Sequence, residues 1–266
     1  MWQWQSWEGR PYLTCRLLEE WRHGFFTQHF ESRSPERLVA ALHPEAAVYR
    51  VKQVHGDRVM TPSEIEAEIL NGLQDTPWPQ ADGVLTELAQ QSVWVASADC
   101  TPALIADRAT GRVAAVHAGW RGTAKEIVPE AIARFLERGS KPKNLRIALG
   151  PAISGAVYQV SRNVAAEVGQ TLMARDRAFS PEQILERLFQ LNDPPIQSDP
   201  QPGRVRLDVR RVNVLQLERL GIDPEQIAIA PYCTYQQPEY FFSYRRTREK
   251  KVQWSGIVSQ QTPVRG

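Results

Sequence analysis

Val93-Trp94-Val95-Ala96-Ser97-Ala98-Asp99-Cys100-Thr101-Pro102-Ala103-Leu104-Ile105-Ala106 runs through Asp107-Arg108-Ala109-Thr110-Gly111-Arg112 into Val113-Ala114-Ala115-Val116-His117, and this stretch decides the fold. The apolar runs at 103–106 and 113–116, separated by a polar segment with a glycine, predict a β-hairpin. A third run, 93–96, predicts a strand that leads straight to Asp99 and Cys100. None of the three alternates cleanly between apolar and polar residues, which implies that both faces are covered. Cys100 then lies just before the first hairpin strand and His117 ends the second. One turn-linked unit brings a thiol and an imidazole together.

Outward from the hairpin, Leu145-Arg146-Ile147-Ala148-Leu149 and Ile227-Ala228-Ile229-Ala230 read as further strands. Helical patterns alternate with them. Thr123 and Glu126 have the spacing of a capping box, ahead of an apolar stripe of Ile127, Ala131, Ile132, Phe135 and Leu136 that ends near Gly139. Pro129 fits that helix only if it starts a few residues later. Ser180-Pro181-Glu182-Gln183 carries a cap, a proline at the first position and a glutamine three residues after the cap. Asp208 caps a helix through Val212 and Leu217 that Gly221 closes. The segment from Asn192 to Gly203, rich in proline, glutamine and aspartate, reads as a surface loop. With no repeat and no linker, residues 1–266 read as a single mixed α/β domain.

At 266 residues and 42% hydrophobic, the chain has enough apolar material for a full core. A net charge of +2 from near-balanced acids and bases predicts neither a nucleic-acid partner nor an anionic membrane surface. The three cysteines, Cys15, Cys100 and Cys233, are odd in number and far apart, which argues for a reducing compartment. The start, Met1-Trp2-Gln3-Trp4-Gln5-Ser6-Trp7-Glu8, does not resemble a secretory signal, and no apolar run approaches the roughly 20 residues of a membrane span. The expected location is cytoplasmic.

Three compact motifs supply metal-ligating residue types: His55 in Gln53-Val54-His55-Gly56, Cys100 in Ala98-Asp99-Cys100, and His117 in His117-Ala118-Gly119-Trp120-Arg121-Gly122. Two imidazoles and a thiolate suit zinc, and three protein ligands leave a position open for chemistry. Each taken alone has a structural reading: a turn histidine, a small buried thiol, a satisfied core histidine. Asp99 fits a group that orients a ligand or acts as acid or base, and equally a turn aspartate. Asp82 in Ala81-Asp82-Gly83 sits in a turn-like setting that suits a backbone-capping carboxylate at least as well as a catalytic one. Gly119, Arg121 and Gly122 suit an anion held at a helix start, or a tight strand-to-helix turn. Phe241-Phe242-Ser243-Tyr244-Arg245-Arg246 sets aromatics beside arginines, as in a site that stacks a planar base and binds an anion, or in an ordinary strand with a basic end. A nucleophilic Cys100 activated by His117 would make a cysteine hydrolase. Five histidines are too few for an oxidase with several copper centres.

Together these motifs resemble the purine nucleoside phosphorylase family once described as multicopper polyphenol oxidase, or laccase-domain, proteins. The likeness also includes His23-Gly24-Phe25-Phe26-Thr27, Gly150-Pro151-Ala152-Ile153, Leu207-Asp208 and Phe242-Ser243-Tyr244-Arg245-Arg246. The resemblance implies an α-β-β-α layered fold and one zinc held by His55, Cys100 and His117. It implies phosphorolysis of adenosine, inosine and methylthioadenosine to the free base and ribose 1-phosphate, with adenosine deamination beside it. The expected partners are therefore purine nucleosides and phosphate. Asp99 and Arg121 are the catalytic candidates; Arg245 and Tyr244 are the substrate-binding ones, with phosphate assigned to Arg121 and Arg245. The chain departs from the family pattern at Gln28-His29-Phe30-Glu31-Ser32, at Ala156, Val157 and Gln159, and at Arg248-Glu249-Lys250-Lys251-Val252. Two other functions use the same motifs: a hydrolase of peptidoglycan precursors and a non-catalytic zinc-binding scaffold.

Overall fold

The computed structural model of the chain describes residues 1–72 and 76–261. Its strands, numbered along the chain, are β1 (Trp2–Trp7), β2 (Arg10–Cys15), β3 (His23–Phe26), β4 (Ala47–Tyr49), β5 (Val59–Met60), β6 (Gly83–Leu85), β7 (Gln91–Ser97), β8 (Thr101–Asp107), β9 (Val113–Ala118), β10 (Leu145–Leu149), β11 (Gln159–Ser161), β12 (Ile196–Ser198), β13 (Arg204–Leu207), β14 (Ile227–Ile229) and β15 (Gln253–Val258). The α-helices are α1 (Pro35–Leu38), α2 (Pro62–Leu70), α3 (Trp120–Ala124), α4 (Ile127–Glu137), α5 (Arg162–Gln170), α6 (Pro181–Phe189), α7 (Val209–Arg219) and α8 (Tyr244–Thr247).

The expected hairpin is β8 and β9, antiparallel, with Ala103 opposite Val116 and Thr101 opposite Ala118. Its turn is tied by Asp107, whose carboxylate accepts from the Ala109 amide at 2.8 Å and the Thr110 hydroxyl at 3.0 Å. The hairpin is the centre of a six-stranded mixed sheet ordered β14-β10-β8-β9-β6-β5. A second six-stranded sheet, ordered β1-β2-β3-β15-β7-β4, packs face to face with it. Leu13, Phe25, Val93, Val95 and Ile257 meet Leu104, Ala106, Val113 and Ala115 between the two sheets. Ala103, Ile105, Ala114 and Val116 point the other way, against Ile127, Val128, Ala131, Ile132 and Phe135 of α4 and Val214 and Leu217 of α7. Both faces of the hairpin are covered, which is why its strands lack polar alternation. Each large apolar side chain so buried contributes on the order of 2 kcal/mol. The far face of the second sheet places Phe26, Trp94 and Val258 under Phe30, Leu38 and Val39. The layers therefore run α-β-β-α.

Two local readings change. Thr123 and Glu126 form no capping box: Thr123 lies inside α3, and Glu126, left-handed at φ 60°, is the residue before α4 without a side-chain cap. Pro129 is third in α4, within the first turn, where a missing N–H leaves no intrahelical bond unmade. Leu136 is more than a third exposed, and Val128 takes its place in the buried stripe. The second change is in 192–203. Ile196 is fully buried there, and β12 pairs with β13 in a small sheet ordered β11-β13-β12 that packs with α5 and α6. The other caps stand as expected. Ser180 and Gln183 form a reciprocal capping box at α6, and the Asp208 carboxylate accepts from the amides of Arg210 and Arg211 at α7. Among the described residues no helix is long and apolar enough to cross a membrane.

Candidate metal centre and active-site cleft

The pairing of β6 with β9, Gly83 opposite Val116, carries Asp82 alongside His117. The His117 amide donates to the Asp82 carbonyl at 2.7 Å, and Nδ1 of His117 lies 2.8 Å from Asp82 Oδ1. A carboxylate can only accept there, so Nδ1 carries the proton and Nε2 is left free as a ligand. The same fully buried carboxylate accepts from the amides of Val54, His55 and Gly56 at 3.1, 2.9 and 2.7 Å. Three convergent N–H groups form an anion-holding nest, and this holds His55 in its left-handed conformation at φ 60°. Asp82 therefore fixes two of the three ligand candidates at once. The Gln53 side chain fastens the same loop to β7, bonding both the amide and the carbonyl of Ala96.

Cys100 follows Asp99, which has φ 91°. Both carboxylate oxygens of Asp99 are engaged: Oδ1 accepts from the Thr234 hydroxyl at 2.7 Å and Oδ2 from the Arg245 amide at 2.7 Å. Its carbonyl accepts from the Ile153 amide. Three loops from distant parts of the chain are joined at this residue.

The candidate ligand atoms of His55, Cys100 and His117 all lie within 4.8 Å of one another, and the group could hold a metal ion. Small side-chain movements bring such atoms to metal bond lengths of about 2.0–2.3 Å. His55 is exposed and His117 buried, so the group opens on one side. Burial alone would push the Cys100 thiol up, but the charge on His117 and hydrogen bonds from His117 and His55 bring it down to about 6. Burial opposes protonation of His117; the Cys100 thiolate and the Asp82 carboxylate override it and raise the imidazole to about 9. The two groups are poised as thiolate and imidazolium, and a cation displacing the His117 proton inherits the thiolate.

Two glycines shape the wall. A Cβ on Gly119 would stand 2.7 Å from Cys100 Sγ, and one on Gly122 would stand 3.0 Å from the Gly56 carbonyl oxygen. This close approach lets α3 begin directly against the ligands.

The group lies in a cleft of about 730 Å³, lined also by Ser97, Asp99, Trp120, Arg121, Tyr158, Tyr244, Arg245 and Trp254. The guanidinium of Arg121 lies 4.4 Å from the Trp120 ring centroid, and that of Arg245 lies 4.7 Å from that of Tyr158. Nη1 of Arg245 donates to the Gln159 carbonyl at 2.9 Å. Burial first, and then the charge of Cys100, push the Tyr158 phenol up to about 12, so it stays protonated. Ser97 is buried, and its hydroxyl has no hydrogen-bond partner among the described residues. The structure thus brings His55, Cys100, His117, Asp99, Arg121, Tyr244 and Arg245 to one cleft. Sequence reasoning weighed Asp82 between a capping and a catalytic role without placing it against His55 and His117, and it assigned no site role to Ser97, Tyr158 or Trp254. Only Asp82 had a signal, a lone acid at the head of a buried strand.

A family model described as Multi-copper polyphenol oxidoreductase laccase matches residues 32–259. The chain is 53% identical over 259 residues, 97% of each chain, to Purine nucleoside phosphorylase slr1573 of Synechocystis sp.. It is 32% identical over 211 residues, 79% of this chain and 72% of the relative, to Purine nucleoside phosphorylase Rv2149c of Mycobacterium tuberculosis. The crystal structure of YlmD from Geobacillus stearothermophilus superposes with a TM-score of 0.77 at 24% identity, covering 96% of this chain and 98% of that one, and so shares the fold. A family match over most of the chain and relatives aligned over most of their length show that the chain belongs to the laccase-domain family, whose similar members carry the name purine nucleoside phosphorylase.

Proposed function

We propose that the cleft is the active site of a cytoplasmic, zinc-dependent purine nucleoside phosphorylase acting on adenosine, inosine and methylthioadenosine. The observation that carries this reading is the sharing of one cleft by the open His55-Cys100-His117 group and the guanidiniums of Arg121 and Arg245. The names borne by the similar relatives support it. The volume lies within the range of about 300–1,000 Å³ usual for small-molecule sites. When bound, zinc supplies a Lewis-acid centre with an open position.

In the reaction an oxygen of inorganic phosphate bonds to C1′ of the ribose while the C1′–N9 bond breaks. The bonding electron pair leaves with the purine, which takes up a proton. Arg121 and Arg245 hold the phosphate, opposing its charge and fixing its approach. Their aromatic neighbours restrict both guanidiniums, so less freedom is lost on binding. Tyr244 offers a ring on which the purine stacks. Asp99, with both carboxylate oxygens engaged by Thr234 and Arg245, acts as a positioning residue that sets the turn presenting Arg245.

The test is to incubate the metal-loaded protein with adenosine, with and without phosphate, and to separate the products by chromatography. Adenine that forms only with phosphate, and not in a Cys100→Ala variant, supports the proposal. Inosine in both mixtures would instead identify deamination. No product from metal-loaded protein would overturn the nucleoside assignment.

A further inference from the structure

The cleft carries more positive charge than one phosphate and a neutral nucleoside require. Besides Arg121 and Arg245, its lining includes Arg248, Lys250 and Lys251. The only acids on it, among the described residues, are Asp99 and Glu249, and both are committed to protein donors. Asp99 is held by Thr234 and Arg245, and Glu249 lies 3.5 Å from Lys251 Nζ. Lys251 is further neutralised by Glu31 at 3.1 Å. Arg121, Arg245, Arg248 and Lys250 have no carboxylate within salt-bridge distance among the described residues, since Arg245 meets Asp99 through its backbone amide. Four cations are left facing the cleft without a counter-charge, two more than the pair assigned to the attacking phosphate.

Their geometry is a repeated one. Arg248 lies 5.7 Å from the Tyr244 ring centroid, as Arg121 lies on Trp120 and Arg245 on Tyr158. Three guanidiniums therefore line one cleft, each braced on an aromatic ring. Arg248 ends α8 in a left-handed conformation, φ 63°, and Lys250 follows two residues on. Arg245 begins the other side of the same single-turn helix, with its amide tied to Asp99. Two basic groups thus stand towards opposite ends of one short helix. The second has no role in holding the attacking phosphate if Arg121 and Arg245 do so.

We propose that the organic substrate carries its own anion: the cleft accepts a nucleoside 5′-monophosphate, its phosphoryl group held by Arg248 and Lys250. This rests on the phosphorylase reading above and narrows its substrate class. The step is the same and balances in the same way. An oxygen of inorganic phosphate bonds to C1′, the C1′–N9 bond breaks, and the electron pair leaves with the purine, which takes a proton. The sugar product is ribose 1,5-bisphosphate in place of ribose 1-phosphate.

The experiment compares kcat/KM for adenosine and adenosine 5′-monophosphate at saturating inorganic phosphate, in the wild-type holoenzyme and in an Arg248→Ala, Lys250→Ala double variant. Both positions are exposed, so the fold should tolerate the change. The expected result is a wild-type preference for the monophosphate, with the ratio of the two kcat/KM values falling about tenfold or more in the double variant. A Lys250→Glu variant should lower that ratio as well, and raised salt should lower it in the wild type. Adenosine turnover with no preference for the monophosphate, or a ratio that the double variant leaves unchanged, would overturn the inference and leave the phosphorylase reading standing. Turnover of neither compound would remove both.

Discussion

Nδ1 of His117 lies 2.8 Å from Oδ1 of Asp82, and that carboxylate also gathers the amides of Val54, His55 and Gly56. One buried acid sets the tautomer of one ligand candidate and the backbone of the other. Asp82→Asn presents an amide to Nδ1 and weakens the nest. Metal affinity is expected to fall about 10–100-fold, as read by competition with a chromophoric chelator. Affinity within twofold of wild type would contradict this role.

Gly119 has no room for a methyl group, since its Cβ would stand 2.7 Å from Cys100 Sγ. Gly119→Ala is expected to displace the thiol and to cost about 1–3 kcal/mol in overpacking. Metal content measured by elemental analysis should drop well below that of wild type, with a lowered Tm. Full metal content would show that the wall between Gly119 and Cys100 yields.

Metal removal exposes the poised thiolate. In chelator-treated protein, alkylation of Cys100 by iodoacetamide should reach half its limiting rate near pH 6, because the neighbouring His117 charge keeps the thiol ionised above that pH. Cys15 and Cys233 are buried and should stay unlabelled in the folded protein. Adding metal back should protect Cys100. A midpoint in the ordinary thiol range, about 8.5, would remove the thiolate–imidazolium pairing.

His23 gives a separate dependence, on stability. It is buried, and burial lowers its pKa to about 4 despite the Trp21 carbonyl 2.8 Å from Nδ1. Its Nε2 accepts from the Cys15 amide at 2.8 Å, a bond that only the unprotonated nitrogen can make. The unfolded chain binds a proton near pH 6.5 and the folded chain near 4, so unfolding takes up a proton between those values. Stability is fully present above about pH 6.5 and declines as pH falls towards 4, by roughly 3 kcal/mol at most. Denaturant titrations at pH 7, 5.5 and 4 should show this slope, and His23→Gln should flatten it.

Arg245→Ala and Arg121→Ala are each expected to raise the KM for phosphate by about tenfold or more, with a smaller change in the KM for nucleoside. Asp99→Asn should act in the same direction and more weakly, because it loosens the turn rather than removing the cation. Steady-state kinetics with phosphate varied at saturating adenosine separates these effects. An unchanged phosphate KM removes the residue concerned from that role.

Much of this architecture is legible in sequence where the determinants are local. The β8–β9 hairpin shows because its apolar runs and turn are contiguous, and Ser180 and Gln183 show because a capping box is four residues long. The His55, Cys100 and His117 motifs each announce a ligand type. What escapes depends on partners far along the chain. Asp82 reaches Val54–Gly56 from 26 to 28 residues away, and nothing in Ala81-Asp82-Gly83 points to them. Ile196 stands between Pro195 and polar neighbours, and its strand exists only because β13 lies beside it. The Thr123–Glu126 spacing misleads because Gly119 starts a helix four residues earlier than the pattern suggests.

Strand β15, residues 253–258, lies in its sheet between β3 and β7, bonded to both. Residues 2–97 therefore supply five of that sheet's six strands, and those strands have no continuous ladder until residues 253–258 have been synthesised. During translation the edges of β3 and β7 wait, open, for a partner made long after them. The cleft completes at the same late moment, since α8, the basic rim and Trp254 belong to the same terminal segment. Sheet and chemistry are thus completed together, and a nascent chain stalled before residue 253 should expose open strand edges to chaperones while lacking any activity.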